Sequence, residues 1–132
     1  MPVLAASTVL AIGIGAIAFD PAVGAPVRVE LHIRYSHFDP STLSVPAGRA
    51  VTFVLHNDDP IEHEWIVGDA ELHVRHRTGT EAQHATRPTE VSIPPLSTVE
   101  TTVTFAEQSV WQFICHLPSH EAYGMVGLLS VH

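Results

Sequence analysis

Cys115-His116-Leu117-Pro118-Ser119-His120-Glu121-Ala122-Tyr123-Gly124-Met125 comes after the strand-like run Val110-Trp111-Gln112-Phe113-Ile114 and leads into Val126-Gly127-Leu128-Leu129-Ser130-Val131. The only cysteine, a histidine and one of two methionines stand in it at even five-residue steps. A proline and a glycine inside the segment make it a shaped turn instead of a helix. A thiolate, an imidazole and a thioether on one loop form a soft, polarizable donor set, which suits copper in both oxidation states better than zinc, magnesium or iron. A second imidazole must come from elsewhere. His63, in Asn57-Asp58-Asp59-Pro60-Ile61-Glu62-His63-Glu64-Trp65, sits in a loop leaving a strong strand. Two histidines, a cysteine and a weak axial methionine make up a blue-copper electron-transfer site. The bland alternative treats Cys115 as a small buried apolar residue and Met125 as core filler.

Outward from this loop the signals are those of strands. Val27, Val29, Leu31 and Ile33 alternate with Arg28, Glu30, His32 and Arg34, the period-two pattern of a strand with one buried face. Pro40, Pro46-Ala47-Gly48, Asn57-Asp58-Asp59-Pro60, Gly68-Asp69 and Pro94-Pro95 punctuate the chain beyond that strand. Strands are expected at 27–34, 42–45, 50–57, 64–67, 90–93, 98–105, 110–115 and 126–132. Eight short strands point to an all-β sandwich. The segment 69–88, rich in Glu, His and Arg, breaks the pattern and reads as a surface excursion with a short helix at 70–77. In the strand before the cysteine, Trp111, Phe113 and Cys115 share one face, so the sulfur is expected to point inward beneath an aromatic wall.

Residues 3–19 carry no charge and are rich in Ala, Ile, Leu, Val and Gly, so residues 1–25 read as a hydrophobic leader, either a secretory signal or a membrane anchor. Residues 26–132 then form one domain with one core. The formal charge of −8 argues against a nucleic-acid partner. An acidic surface suits a basic protein partner and equally serves solubility. A lone cysteine excludes an internal disulfide framework.

Over roughly residues 27–132 the sequence resembles the cupredoxins, small copper proteins with a Greek-key β-sandwich. The N-terminal part of the resemblance is Phe38-Asp39-Pro40-Ser41-Thr42-Leu43-Ser44-Val45-Pro46-Ala47-Gly48 with Val51-Thr52-Phe53-Val54-Leu55-His56-Asn57, and the C-terminal part is the Cys-x4-His-x4-Met loop. Its length is similar to that of rusticyanin-like and auracyanin-like proteins and of multicopper oxidase domains. The resemblance implies one type 1 copper ion per chain, with His63, Cys115 and His120 as equatorial ligands and Met125 as the axial one. It also implies that the edge of His120 is where electrons leave. Four protein donors and no open position suit single-electron exchange with protein partners outside the cytoplasm, not substrate turnover.

Two alternatives accompany this expectation. Cys115-His116 resembles the dipeptide that leads to a second copper centre in multicopper oxidases and copper nitrite reductases, which would make the chain a subunit of an oligomeric enzyme. Residue 114 is Ile where the oxidases place a histidine, and no His-x-His pair occurs elsewhere. The simpler reading is a monomer with His116 at a strand end, facing out. His73 and His76, three apart on the short helix, with His84 form a weak surface metal site, as in a copper store or chaperone. His32, His37, His56 and His132 read as strand or surface residues, and Glu62, Glu64 and Glu121 as solvated charges.

Overall fold

The computed structural model describes residues 26–80 and 87–132, so the leader and His84 lie outside the described residues. Among the described residues nine strands and one helix occur in the order β1 (Val27–Arg34), β2 (His37–Asp39), β3 (Thr42–Val45), β4 (Ala50–Asn57), β5 (His63–Gly68), α1 (Ala70–Thr78), β6 (Glu90–Ile93), β7 (Thr98–Thr104), β8 (Ser109–Ile114) and β9 (Val126–Val131). They form a sandwich of a four-stranded sheet, β2-β1-β4-β7, and a five-stranded sheet, β3-β9-β8-β5-β6. Two pairs are parallel, β1 with β4 and β3 with β9; the rest are antiparallel.

The period-two pattern places the core as expected. Leu31 and Ile33 of β1 and Val51, Phe53 and Leu55 of β4 face Val45, Trp65, Val67, Ile93, Phe113, Leu129 and Val131 of the other sheet. Each such aliphatic or aromatic side chain contributes about 1.5–3 kcal/mol on full burial. Trp65 joins the layers, with its ring 4.8 Å from that of Phe53 and 6.4 Å from that of Phe113. Cys115 and Met125 belong to this same core.

Several boundaries shift by one residue from expectation, and two differences bear on the site. The three-residue strand β2 is an addition: Tyr35 and Ser36, both at positive φ, reverse the chain so that His37–Asp39 pairs back on β1. β5 begins one residue early, and His63 is a strand residue paired with Ile93 rather than part of a loop. All of β5 is buried, because α1 covers its outer face. Asp69 caps that helix by accepting from the Leu72 amide at 2.8 Å, and Gly79, at φ 69°, ends it. Gly68 permits the approach, since a Cβ there would fall inside the Leu72 side chain. Among the described residues no helix is long and apolar enough to cross a membrane.

Candidate metal centre

At one end of the sandwich, the turn after β4, the start of β5 and the loop between β8 and β9 converge. His63, Cys115 and His120 each present a donor atom there, all within 4.8 Å of one another. His63 Nδ1 lies 3.2 Å from His120 Nδ1, which lies 3.3 Å from Cys115 Sγ. Donors at about 2.0–2.3 Å around a single ion are separated by distances of this order, and a sulfur with two imidazoles suits copper, so the residues fit the ion. Met125 is fully buried, and its backbone ties the loop together: its carbonyl accepts from the Cys115 amide at 3.2 Å and its amide donates to the His120 carbonyl at 3.0 Å.

The loop holds its shape by its own backbone bonds. The His120 amide donates to Leu117, that of Tyr123 to Ser119 and that of Gly124 to Glu121, with Ser119 and Gly124 at positive φ. His63 and Cys115 are fully buried, while His120 is partly exposed. Burial pushes the Cys115 thiol up to about 11, so the thiolate forms at neutral pH when a cation takes the place of the proton. The Glu64 amide, 3.3 Å from the sulfur, supplies a hydrogen bond to it.

Sequence reasoning missed Asp59. Its carboxylate accepts from His63 Nε2 at 3.0 Å and from the amides of Tyr35 and Ser36 at 2.7 and 2.8 Å. Burial raises its pKa, but the two amides and the imidazole outweigh this and hold it below the usual carboxylate range. An ionised carboxylate only accepts, so His63 carries its proton on Nε2 and turns the Nδ1 lone pair toward His120 and Cys115. Burial lowers the His63 pKa, with Asp59 pulling the other way, which keeps the ring neutral at physiological pH. Asn57, also missed, fixes this turn: its side-chain amide donates to the carbonyls of Ile61, Ile93 and Pro94, and its Oδ1 accepts from the Asp59 amide.

Three of the other histidines are corrected in position, while His32, His37, His56 and His132 are strand or surface residues as expected. His116 does not face out: its side chain is 5% exposed and turns under α1, with Nε2 2.9 Å from His73 Nδ1. His73 and His76 are buried, not at the surface, and are the residues by which α1 faces the sheet. His76 stacks on His116, ring centroids 5.3 Å apart and planes at 23°. Burial pushes His116 down to about 4, leaving it neutral. Of the flanking acids, Glu62 is exposed, Glu64 is buried, and Glu121 is not merely solvated but held by Arg77 in a two-pronged pair at 2.6–3.0 Å.

Comparison with known proteins places this geometry. Residues 26–132 match the family described as copper binding proteins, plastocyanin/azurin family. The copper-resistant cuproprotein CopI of Pseudomonas aeruginosa is 28% identical, over 83% of this chain and 78% of that protein. CopI of Rubrivivax gelatinosus is 34% identical over 71% of this chain, which spans 59% of that relative's length. Auracyanin A, a blue copper protein of Chloroflexus aurantiacus, superposes with a TM-score of 0.65 at 27% identity, over 82% of this chain and all of the other. Auracyanin from Roseiflexus castenholzii shares the fold, with a TM-score of 0.67 at 19% identity over 83% of this chain and 99% of the other.

Proposed function

The chain belongs to the plastocyanin/azurin family of copper-binding proteins, and from that premise we propose that it is an extracytoplasmic one-electron carrier whose copper is held by His63, Cys115, His120 and Met125. The observation that carries the reading is the enclosure of the donors: His63, Cys115 and Met125 are fully buried and His120 alone keeps an exposed edge. Copper held there supplies a one-electron couple. The chain's part is to hold its donors in one arrangement for both oxidation states, through the Asp59 tie on His63, the Glu64 amide on the sulfur and the bonded backbone of the 115–125 loop. The sandwich excludes water and oxidants from the thiolate, and the His120 edge, beside exposed Tyr123, gives protein partners their approach. The apolar stretch at 3–19 supports placement outside the cytoplasm.

A reversible one-electron wave from the copper-loaded protein, with an intense sulfur-to-copper absorption band, is the expected result. A colourless or electrochemically silent copper complex sinks the reading. Met125→Gln is expected to lower the potential while keeping the band, because the axial donor tunes the potential without setting the equatorial geometry.

The names of the CopI relatives favour a second reading, in which the chain confers copper tolerance by holding the ion. Competition with a chelator separates the two: a store gives up its copper on the timescale of the assay, and a carrier cycles its valence with the ion retained. An oxidase or nitrite reductase subunit needs a second centre open to substrate, and the burial of His116 under α1 speaks for the carrier.

A further inference from the structure

We propose that Arg77 is a positioning residue for the metal centre: from the last turn of α1 it clamps Glu121 and so holds the neighbouring His120 in place against His63 and Cys115. The proposal deepens the copper reading above and rests on it. His120 is the donor with the least support from the sheets. His63 stands in β5, and Cys115 and Met125 each adjoin a strand end, but His120 lies five residues from both, at the middle of the loop. Among the described residues, the backbone hydrogen bonds of 117–125 all close within 115–126, so they shape the loop without fastening it to another element.

The fastening is a side-chain pair. Arg77 Nε donates to both carboxylate oxygens of Glu121, at 3.0 and 2.9 Å, and Nη2 donates to Oε1 at 2.6 Å. A planar guanidinium forked on a carboxylate fixes direction as well as distance, which a point charge does not. The Gly124 amide donates to the Glu121 carbonyl and the Met125 amide to the His120 carbonyl, both at 3.0 Å, so the clamped residue lies inside the turn that runs from His120 to Met125. Packing does not replace the pair. Between helix and loop lies a cavity of about 360 Å³, lined by His76 and Arg77 on one side and by residues 116–119, 121 and 122 on the other. An unfilled gap gives the residues that line it no close contacts across it. The His116 ring stands farther from this carboxylate, with Nδ1 3.5 Å from Oε2. Beyond His116, the Arg77–Glu121 pair is the short contact that joins the two walls among the described residues.

Two substitutions separate position from charge. Arg77→Gln and Glu121→Gln each break the fork, yet they change the net charge in opposite senses. By charge alone the first would tighten the hold on a nearby cation and the second would loosen it. A clamp predicts the same sign for both.

The test begins without metal. Amide hydrogen exchange of the metal-free full chain should quicken about fivefold at residues 120–125 in both variants, the scale of a partly exposed two-pronged pair, with the amides of β4 and β8 unchanged. Loaded with copper, both variants should release the ion to a chelator about fivefold faster than the parent, read from decay of the sulfur-to-copper band. The potential should rise in both, because a loosened imidazole leaves the ion more to the sulfur donors, which suit Cu(I). Arg77→Gln/Glu121→Gln should match the single variants, since the pair is already broken. Glu71→Gln, which breaks the exposed pair with Arg75 on the same helix, should match the parent. If Arg77→Gln fails to fold by circular dichroism, Glu121→Gln decides. Loop exchange that stays unchanged, or that quickens equally throughout the sandwich, overturns the clamp. So do release rates that move in opposite directions in the two variants, or a double variant whose effect is the sum of the two. A parent chain without the band overturns the copper reading and the role of Arg77 with it, whereas a parent with the band and variants that behave like it overturn the clamp alone.

Discussion

Two histidine clusters meet the same dipeptide from opposite sides, and they differ in what surrounds the imidazoles. Cys115 enters the apolar core with His63 and His120, whereas His116 turns beneath α1 toward His73 and His76. In the first cluster the outer carboxylate, Asp59, is pinned by two backbone amides of the β1–β2 turn and fixes one tautomer of His63. In the second the outer carboxylate, Glu121, is pinned by Arg77, a half-exposed side chain on a single helix. Both supply imidazoles; the sulfur and the strand-built frame belong to the first alone. The difference teaches that donor identity chooses the metal, while the groups behind the donors decide how firmly one geometry is held.

The largest expected effect removes the feature that separates the clusters. Cys115→Ser should abolish the sulfur-to-copper band entirely, with the far-ultraviolet circular dichroism of the sandwich retained; a persisting band would mean that the thiolate is not a ligand. Asp59→Asn attacks the frame rather than the donor. The amide can still accept a hydrogen bond but carries no charge, so copper affinity should fall about 10–100-fold and stability by about 1–3 kcal/mol, read from competition with a chelator and from denaturant midpoints. An unchanged affinity would show that the tautomer of His63 is set by something other than this carboxylate.

Gly68→Ala sharpens the contrast from the helix side. The added methyl displaces the flexible Leu72 side chain, so α1 should shift off β5 at a cost of about 1–3 kcal/mol. The copper band should survive, and equal damage to both clusters would erase the distinction. The smallest effect is electrostatic and involves exposed side chains only. The side-chain hydrogen bond from Arg34, followed by that from His32, holds the Asp58 carboxyl below the usual range, and His56, then Arg28, does the same for Glu30. A depressed folded-state pKa adds stability above the unfolded value that disappears as pH falls through the folded one. The denaturation midpoint should therefore decline slightly below about pH 4, and added salt should shrink the decline because these pairs are exposed.

How much of this was legible depended on whether the signal was local. Cys115, His120 and Met125 announce themselves within eleven residues, and the alternation in 27–34 places Leu31 and Ile33 inside without reference to any partner. Asp59 could not be told from Asp58: adjacent and chemically identical, one is 8% exposed behind His63 and the other is exposed and bonded to Arg34. The missing signal was geometric, a carboxylate at the start of a turn four residues before a ligand histidine. α1 was harder still. Its inward residues are His73 and His76 instead of an apolar stripe, so hydrophobic periodicity marks its polar neighbours as surface and misplaces both histidines.

By itself the sequence determined a β-sandwich with a copper-suited loop, because strand alternation and a five-residue donor spacing are properties of neighbouring residues. The family resemblance already singled out His63 as the partner of His120 and Cys115, and only the tertiary structure decided that His116 meets His73 and His76. His63 reaches His120 and Cys115, and His116 reaches His73, through strand register and the seating of a helix on β5, and these depend on packing between segments 43 to 57 residues apart. The tautomers follow from those meetings as well, since a ring proton goes to whichever acceptor the fold brings near.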